Sequence, residues 1–359
     1  MSTTKILVTG VAGFIGSHTA IELLSKGFDV IGIDNFCNSD LGVIDRLQKL
    51  KVEILGLTGP EFNHYSLDVR DAQSLEALFS QHTISCVIHF AGLKSVAESF
   101  ERPLDYWDTN VLGTMNLLKV MQKNNVKRFL FSSSATVYAR THCLPIKEDA
   151  PLLPCSPYGR SKWVCEQFLQ DFSSAHPDWN ISLLRYFNPV GAHESGLLGE
   201  HPKGEPNNLM PIVTQVAAGL KEKLLVFGND YDTPDGTCIR DYIHVVDLAQ
   251  GHVAVAMAMG LQKLPSENDI PRGHHNYSIQ GLTILNFGTG KGVSVKELIE
   301  TFSEVTGKKI PYEFVARRSG DLPAYYADAS RAKELVGWNA QIGLEKMCSD
   351  AWRWQSNFY

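Results

Sequence analysis

The chain of 359 residues has no CxxC pair, no block of basic residues, no apolar run of membrane-spanning length and no internal repeat. Each absence removes a class of function. The seven cysteines (Cys37, Cys86, Cys143, Cys155, Cys165, Cys238 and Cys348) are scattered, so neither a disulfide framework nor a zinc site is predicted, and a reduced cytoplasmic compartment fits. His274-His275 has no further ligand at metal-binding spacing and reads as part of an exposed loop, Lys263 to Gly281, so no metal is predicted. A net charge of -6 without a basic patch gives nucleic acid no electrostatic footprint and an anionic membrane little more. The apolar N-terminus runs straight into a glycine loop, with no charged leader or cleavage site, and so reads as a core strand rather than a signal peptide. What remains is the composition of a globular protein, 44% hydrophobic and 20% charged, whose partners are small molecules.

Strand and helix signals alternate through the first half, as a parallel sheet with crossover helices requires. Strands are predicted at Lys5 to Thr9, Val30 to Asp34, Cys86 to His89, Arg128 to Ser132 and Ile181 to Arg185, within a sheet taken as six-stranded. Helices are predicted at Ser17 to Lys26, Ala72 to Gln81, Leu104 to Asn124 and from Pro157 toward His176, where proline suits a first helical turn. The fold class is therefore α/β, a Rossmann-type doubly wound parallel sheet with a smaller α/β substrate-binding domain. Residues 1–187 form the dinucleotide-binding domain in this reading. Residues 188–359 mainly bind substrate, with roughly 239–288 (a strand and a helix over Asp241 to Met259) returning to the first domain. The glycine-, proline- and asparagine-rich text from Gly191 to Asn208 suggests a binding region laid on the sheet's edge.

Between the first strand and first helix lies Gly10-Val11-Ala12-Gly13-Phe14-Ile15-Gly16. Glycines here let the backbone approach a pyrophosphate, and a helix N-terminus presents amides to it. Gly10, Gly13, Phe14, Ile15 and Gly16 are thus candidate cofactor contacts. A glycine triplet alone also describes a tight turn, and its register between strand and helix gives it weight. Asp34 ends the second strand, where a carboxylate can accept from the adenosine ribose hydroxyls and repel a 2'-phosphate, favouring NAD over NADP. Downstream, Tyr158 and Lys162 stand four apart and so share a helix face, the spacing of a proton-transfer pair. An isolated pair of this kind is often a chance feature of an exposed helix. Joined to the glycine loop, it describes a short-chain dehydrogenase/reductase of the extended type.

Longer strings sharpen that resemblance. His89-Phe90-Ala91-Gly92-Leu93-Lys94, Phe131-Ser132-Ser133-Ser134-Ala135-Thr136-Val137-Tyr138, Leu184-Arg185-Tyr186-Phe187-Asn188-Pro189-Val190-Gly191 and Arg240-Asp241-Tyr242-Ile243-His244-Val245 make the chain resemble the UDP-hexose 4-epimerases from about Lys5 to Gln355. The resemblance implies that Tyr158 is the base, that Lys162 holds the nicotinamide ribose and lowers the phenol's pKa, and that Ser134 bonds the reacting hydroxyl. It implies a cycle in which the hexose loses a proton to Tyr158 and a hydride to NAD at carbon 4. The 4-keto sugar then turns over and takes the hydride on its other face. It further implies cofactor contacts at Asn35, Asn38, Ser39, Asp68, Val69, Phe90, Ala91, Gly92, Lys94, Asn110, Ser132 and Tyr186. Arg240 and Arg318 are implied as phosphate partners. Lys94, Phe187, Asn188, Asn208, Leu209, Phe227, Tyr242 and Asp321 are implied as further substrate contacts, and Tyr325 is placed beside the sugar's 2-substituent. A homodimer built on Leu104 to Asn124 and Pro157 to His176 is also implied. Ala139-Arg140 departs from the family, which has glycine after the Val-Tyr pair, and that puts the local turn in question. A 4,6-dehydratase of the same fold needs an Asp-Glu pair where this chain has Ala135 and Thr136, and neither can do that acid-base work. The same fold also serves UDP-glucuronate decarboxylases and non-catalytic dinucleotide sensors; the long epimerase strings argue against the first, and the retained Tyr158, Lys162 and Ser134 against the second.

Overall fold

Every residue of the strand Asp29–Asp34 is buried, as is nearly all of Lys5–Thr9. A parallel sheet covered by helices on both faces requires such strands. The computed structural model describes residues 4–140, 143–206, 208–261, 277–318 and 320–358. His274-His275 and residues 263–276 of the expected loop lie outside these. Among the described residues, no helix is long and apolar enough to cross a membrane.

The large sheet has seven strands, in spatial order Leu282–Phe287, Asn180–Tyr186, Arg128–Ser134, Ile84–His89, Lys5–Thr9, Asp29–Asp34 and Phe62–Ser66. All of its neighbours are parallel. The order reverses between Lys5–Thr9 and Ile84–His89, and in such sheets ligands bind in the crevice at the carboxyl ends beside the reversal. Seven strands correct the expectation of six. Phe62–Ser66 is a half-exposed edge strand whose sequence, Phe-Asn-His-Tyr-Ser, carries no apolar run. The helix Gly42–Leu55 ahead of it was not anticipated either, although Val43, Ile44, Leu47 and Leu50 recur at helical spacing and are buried.

Alternate residues divide the core. Ile6, Val8, Val30, Leu130 and Leu184 face the helices Phe14–Ser25 and Val245–Ala258. Leu7, Ile31, Val87, Phe129 and Phe131 face Gly113–Lys123 and Pro157–Ala175. A separate cluster, including Met210, Val213, Leu224, Phe302 and Met347, underlies the C-terminal part. The strand expected before the helix Val245–Ala258 does not join the large sheet. Tyr242–His244 pairs instead with Asn188–Val190, while Leu282–Phe287 pairs with Asn180–Tyr186 at the sheet's edge.

The expected helix from Leu104 to Asn124 is three pieces: Pro103–Tyr106, a π-helical turn Trp107–Leu112, and Gly113–Lys123. Turns of this rare kind concentrate at functional sites because they redirect side chains. This one carries Asn110.

Candidate active site

Gly10 sits at φ 69°, and a Cβ there would lie 2.7 Å from the Ala91 amide nitrogen. A Cβ on Gly16 would collide with the Gly10 carbonyl oxygen. Both glycines are therefore required by close backbone approach. Gly13 caps the helix Phe14–Ser25 without a side-chain bond, and the first-turn N–H groups of Phe14, Ile15 and Gly16 have no intrahelical acceptor. The result is a bare amide cradle suited to an anion such as a dinucleotide pyrophosphate.

Asp34 is buried and already engaged. Its carboxylate accepts from the Ala12 amide (2.9 Å), the Phe36 amide (2.9 Å) and the Ser39 hydroxyl (2.9 Å). A carboxylate offers about four acceptor positions, so one remains for a ribose hydroxyl. Asn35 donates to Asp68 (2.8 Å), which also accepts from Arg70 at 2.7 and 3.0 Å. Hydrogen bonds from Arg70 hold the Asp68 carboxyl well below its ordinary range. Asn38 is exposed, and Val69 is committed to the core against Gly113 rather than open to the cleft.

The loop from Phe90 to Lys94 is fixed from two sides. Asn110 accepts from the Leu93 amide (2.8 Å) and donates to the Leu93 carbonyl (3.0 Å) and the Ser161 hydroxyl (3.0 Å). A Cβ on Gly92 would approach Asn110 Oδ1 to 2.9 Å. Beneath runs a hydrogen-bond relay that sequence reasoning did not find. Thr114 donates to the Asn110 carbonyl (2.5 Å), so it must accept from His89 Nε2 (3.0 Å), and His89 Nδ1 accepts from Thr9 (2.7 Å). Burial pushes His89 down to about 3, which keeps it neutral and the relay in one direction. The Thr9 hydroxyl in turn accepts from the Ala91 amide (3.1 Å).

Ser134 ends the strand Arg128–Ser134, and Tyr158 enters from the first turn of Pro157–Ala175. Ser156 caps that helix by accepting from the Gly159 amide (3.0 Å). Gly159 allows close approach, since a Cβ there would stand 2.7 Å from the Thr136 carbonyl oxygen. The Ser134 oxygen accepts from the Thr136 amide (3.2 Å) and hydroxyl (3.0 Å). Its own proton is therefore left to donate, and the Tyr158 phenol lies within its reach. Burial raises the Tyr158 pKa, and the bond from Ser134 opposes that rise. Lys162 is itself pushed down to about 8 by burial, and it donates to the Ser132 carbonyl (2.7 Å) from a position 4.9 Å above the Phe131 ring. Its charge is engaged by a backbone carbonyl. Tyr186 donates to His252 Nε2 (2.6 Å), because His252 Nδ1 already faces the Leu248 carbonyl (2.8 Å). Phe90 packs on the same imidazole at 4.8 Å.

The remaining residues meet opposite this group. Arg240 and Arg318 share Asp321, at 3.4 and 3.0 Å. Arg318 also lies 4.8 Å over the Phe227 ring. Tyr242 pairs in register with Asn188, and Tyr325 with Arg240. The Tyr325 hydroxyl donates to the Ala135 carbonyl (2.7 Å), one residue beyond Ser134, and its ring stands 5.7 Å from Phe187. Asp241 was missed as a contributor. Fully buried, it accepts from the Thr289 amide and hydroxyl, the Gly290 amide and the Ala327 amide, at 2.7 to 3.1 Å. Glu200 was missed as well. Its carboxylate accepts from Lys94 (2.8 Å) and Asn208 (2.9 Å), joining two expected contacts from different parts of the chain. Leu209 begins the helix Leu209–Ala217 and packs on the C-terminal core.

Residues 7–351 match the family model described as GDP-mannose 4,6 dehydratase. The chain is 49% identical over 352 residues to the UDP-glucose 4-epimerase of Bos taurus, covering 98% of this chain and 96% of that protein. The chain belongs to the UDP-glucose 4-epimerases. Solved structures of the family superpose closely. One, the UDP-glucose 4-epimerase of Bifidobacterium longum in complex with NAD+ and UDP, has TM-score 0.88 and 48% identity, covering 99% of this chain and 98% of that one. Another, from Stenotrophomonas maltophila with bound NAD and formylated UDP-arabinopyranose, has TM-score 0.90 and 44% identity over 99% and 98% of the two chains. The broader model's dehydratase description does not carry over to the epimerase site. Ala135 offers no acid-base group, and the Thr136 hydroxyl is engaged on Ser134.

Proposed function

We propose that the chain interconverts UDP-galactose and UDP-glucose by transient oxidation at carbon 4 of the hexose. The observation that carries the reading is the convergence at the crevice end of the sheet of Ser134, its oxygen held by Thr136, with the buried Tyr158 and with Lys162 on the Ser132 carbonyl. Bound on the glycine loop, NAD supplies a reversible hydride acceptor. Ser134 orients the hexose 4-hydroxyl, with Thr136 holding the serine oxygen so that its proton points inward. Tyr158 takes the hydroxyl proton and later returns it. A buried phenol is a weak base, so this step depends on positive charge brought near it. Lys162, one helical turn away, supplies part of it.

Arg240 and Arg318 bind the diphosphate, held in place by Asp321, while Asn188, Asn208 and Phe227 surround the uridine. Tyr325 fills the space beside the sugar's 2-substituent, because its hydroxyl is tied to Ala135 and its ring to Phe187. Residues 1–187 form the NAD domain, and 188–359 mainly the nucleotide-sugar domain. A homodimer is supported by the exposed Phe100, Leu104, Leu112 and Met115 on and beside the expected helical interface. The scattered cysteines, with no CxxC pair, support a cytoplasmic location. Incubation of the purified chain with UDP-galactose tests the reading: appearance of UDP-glucose without net consumption of NAD is expected. Formation of a 4-keto-6-deoxy sugar would replace it, as would release of CO2 and a UDP-pentose in a parallel incubation with UDP-glucuronate.

A further inference from the structure

The departure at Ala139-Arg140 has a structural outcome. Among the described residues, Phe36 and Asn125 are the non-glycine residues with positive φ, so Ala139 takes an ordinary backbone conformation and the turn has no need of glycine. The segment is firmly rooted. Ala139 donates to the Pro151 carbonyl (2.8 Å), and Tyr138 bridges to Leu152. The Tyr138 phenol donates to Asn286 (2.6 Å) and accepts from the buried Arg185 (3.0 Å). Arg140 therefore leaves a fixed root, six residues beyond Ser134, and crosses to the other side of the cleft.

Its guanidinium comes to rest on Gly320. A Cβ built there would lie 2.5 Å from Arg140 Nη2 and 3.4 Å from Cζ. Gly320 thus leaves room for the guanidinium that any side chain would take, and its φ of +94° disfavours other residues in any case. It stands between Arg318 and Asp321. At this point Arg240 and Arg318 share the single carboxylate of Asp321. The neighbouring Arg317 is already matched, by Asp230 at 2.7 Å and the Tyr231 ring at 4.1 Å. Among the described residues no carboxylate pairs with Arg140. Arg140, Arg240 and Arg318 against Asp321 leave three positive charges to one negative, an excess of two. A nucleoside diphosphate sugar carries the complementary charge on its two phosphates.

We propose that Arg140 is a third diphosphate-binding arginine, reaching from the catalytic strand's side of the cleft to close the mouth over a nucleoside diphosphate sugar. The proposal rests on the nucleotide-sugar reading given above. A guanidinium seated on backbone, with no carboxylate partner among the described residues, can grip a phosphate in bidentate fashion, which a lysine at the same place cannot. Because the charge is exposed, salt should weaken its contribution.

Dissociation constants for UDP and for uridine, measured by calorimetry on the whole chain at low and at physiological salt, test this alongside kinetics with UDP-galactose. R140A should weaken UDP by about 3- to 10-fold at low salt while leaving uridine unchanged, with the kinetic loss falling on KM rather than kcat. R140K should recover part of the affinity, and R140A should show a shallower salt dependence than the wild type. Unchanged UDP affinity in R140A, or an equal loss for UDP and uridine, would overturn the role of Arg140 while an active wild type left the epimerase reading intact. A wild type that binds no UDP would overturn both.

Discussion

Tyr158 is caught between burial, which raises its pKa, and the Ser134 proton, which lowers it. Replacing it with phenylalanine keeps the ring and removes the proton acceptor, so turnover should fall about 10²- to 10⁴-fold. UDP affinity should be retained. Near-normal turnover in Tyr158→Phe would end the assignment. Lys162 offers a pH test, since its ammonium is the nearby charge able to favour the phenolate. Lys162→Met should move the rising limb of kcat/KM to higher pH as well as lower its height, because the phenol then titrates later. A limb at the same pH in both proteins would confine the lysine to holding the Ser132 carbonyl and the cofactor ribose. Tyr325 bears on substrate width. With Tyr325 beside the 2-substituent, as proposed, an acetamido group meets a ring tied down at Ala135 and Phe187, and overfilling a packed pocket costs of order 1–3 kcal/mol. The wild type should accordingly process UDP-N-acetylgalactosamine poorly and Tyr325→Cys should gain on it. Equal efficiency on both sugars in the wild type would show that the 2-substituent lies elsewhere.

Among the elements, the short sheet Ile239–Arg240, Ala324–Tyr325 and Val293–Ser294 carries two expected substrate contacts, Arg240 and Tyr325, on neighbouring strands. It depends on Asp241. That carboxylate satisfies three backbone amides and one hydroxyl drawn from two other segments, a net that ties Arg240 to the end of the large sheet. Asp241→Ala strands those donors in the interior, each at about 1–3 kcal/mol. Denaturant unfolding should show a loss of at least about 3 kcal/mol, and the folded variant should show a higher KM for UDP-galactose. A loss below about 1 kcal/mol would mean that water can replace the carboxylate. The π-helical turn has an analogous part on the cofactor side: it aims Asn110 at the Leu93 backbone, which a regular helix through the same residues would not.

At the scale of the whole molecule, the buried histidines set a pH dependence. His18, His89 and His252 are pushed down by burial to about 3, 3 and 4. They stay neutral in the folded chain below pH 6.5, whereas the unfolded chain takes up their protons. Stability is therefore fully present above about pH 6.5 and falls as the pH drops below it, with a slope approaching about 1.4 kcal/mol per pH unit for each histidine. Asp241 and Glu148, whose burial raises their pKa, act in the opposite sense and soften the slope at its acid end. Urea unfolding at about pH 7.5, 6.5 and 5.5, values that bracket the ordinary histidine pKa, checks this. A free energy independent of pH across that interval would contradict neutral burial. The buried pair Arg185 and Glu166, 2.6 Å apart, ties the catalytic helix to the sheet.

The central strands, the glycine loop and the catalytic helix could be read directly from the residues, because each carries a local signal. Those signals are unbroken apolar runs, glycines before a helix, and a proline at a helix start. The edge strand Phe62–Ser66 could not be read, since an edge buries too little to demand an apolar pattern. The π turn was hidden too, because apolar spacing alone does not distinguish it from regular helix. For the site, types and spacing named Tyr158, Lys162, Ser134 and Asp34. They could not show that Asp34 is largely occupied by its own loop, that Lys162 turns its charge to Ser132, or that Glu200 joins Lys94 to Asn208. Such pairings link residues up to 106 positions apart. Local pattern determines which elements form and which chemistry they carry, because propensity and burial act over a few residues. Which polar groups neutralise one another, and which charge is left over for a ligand, is decided only when the folded chain brings distant segments within hydrogen-bonding distance.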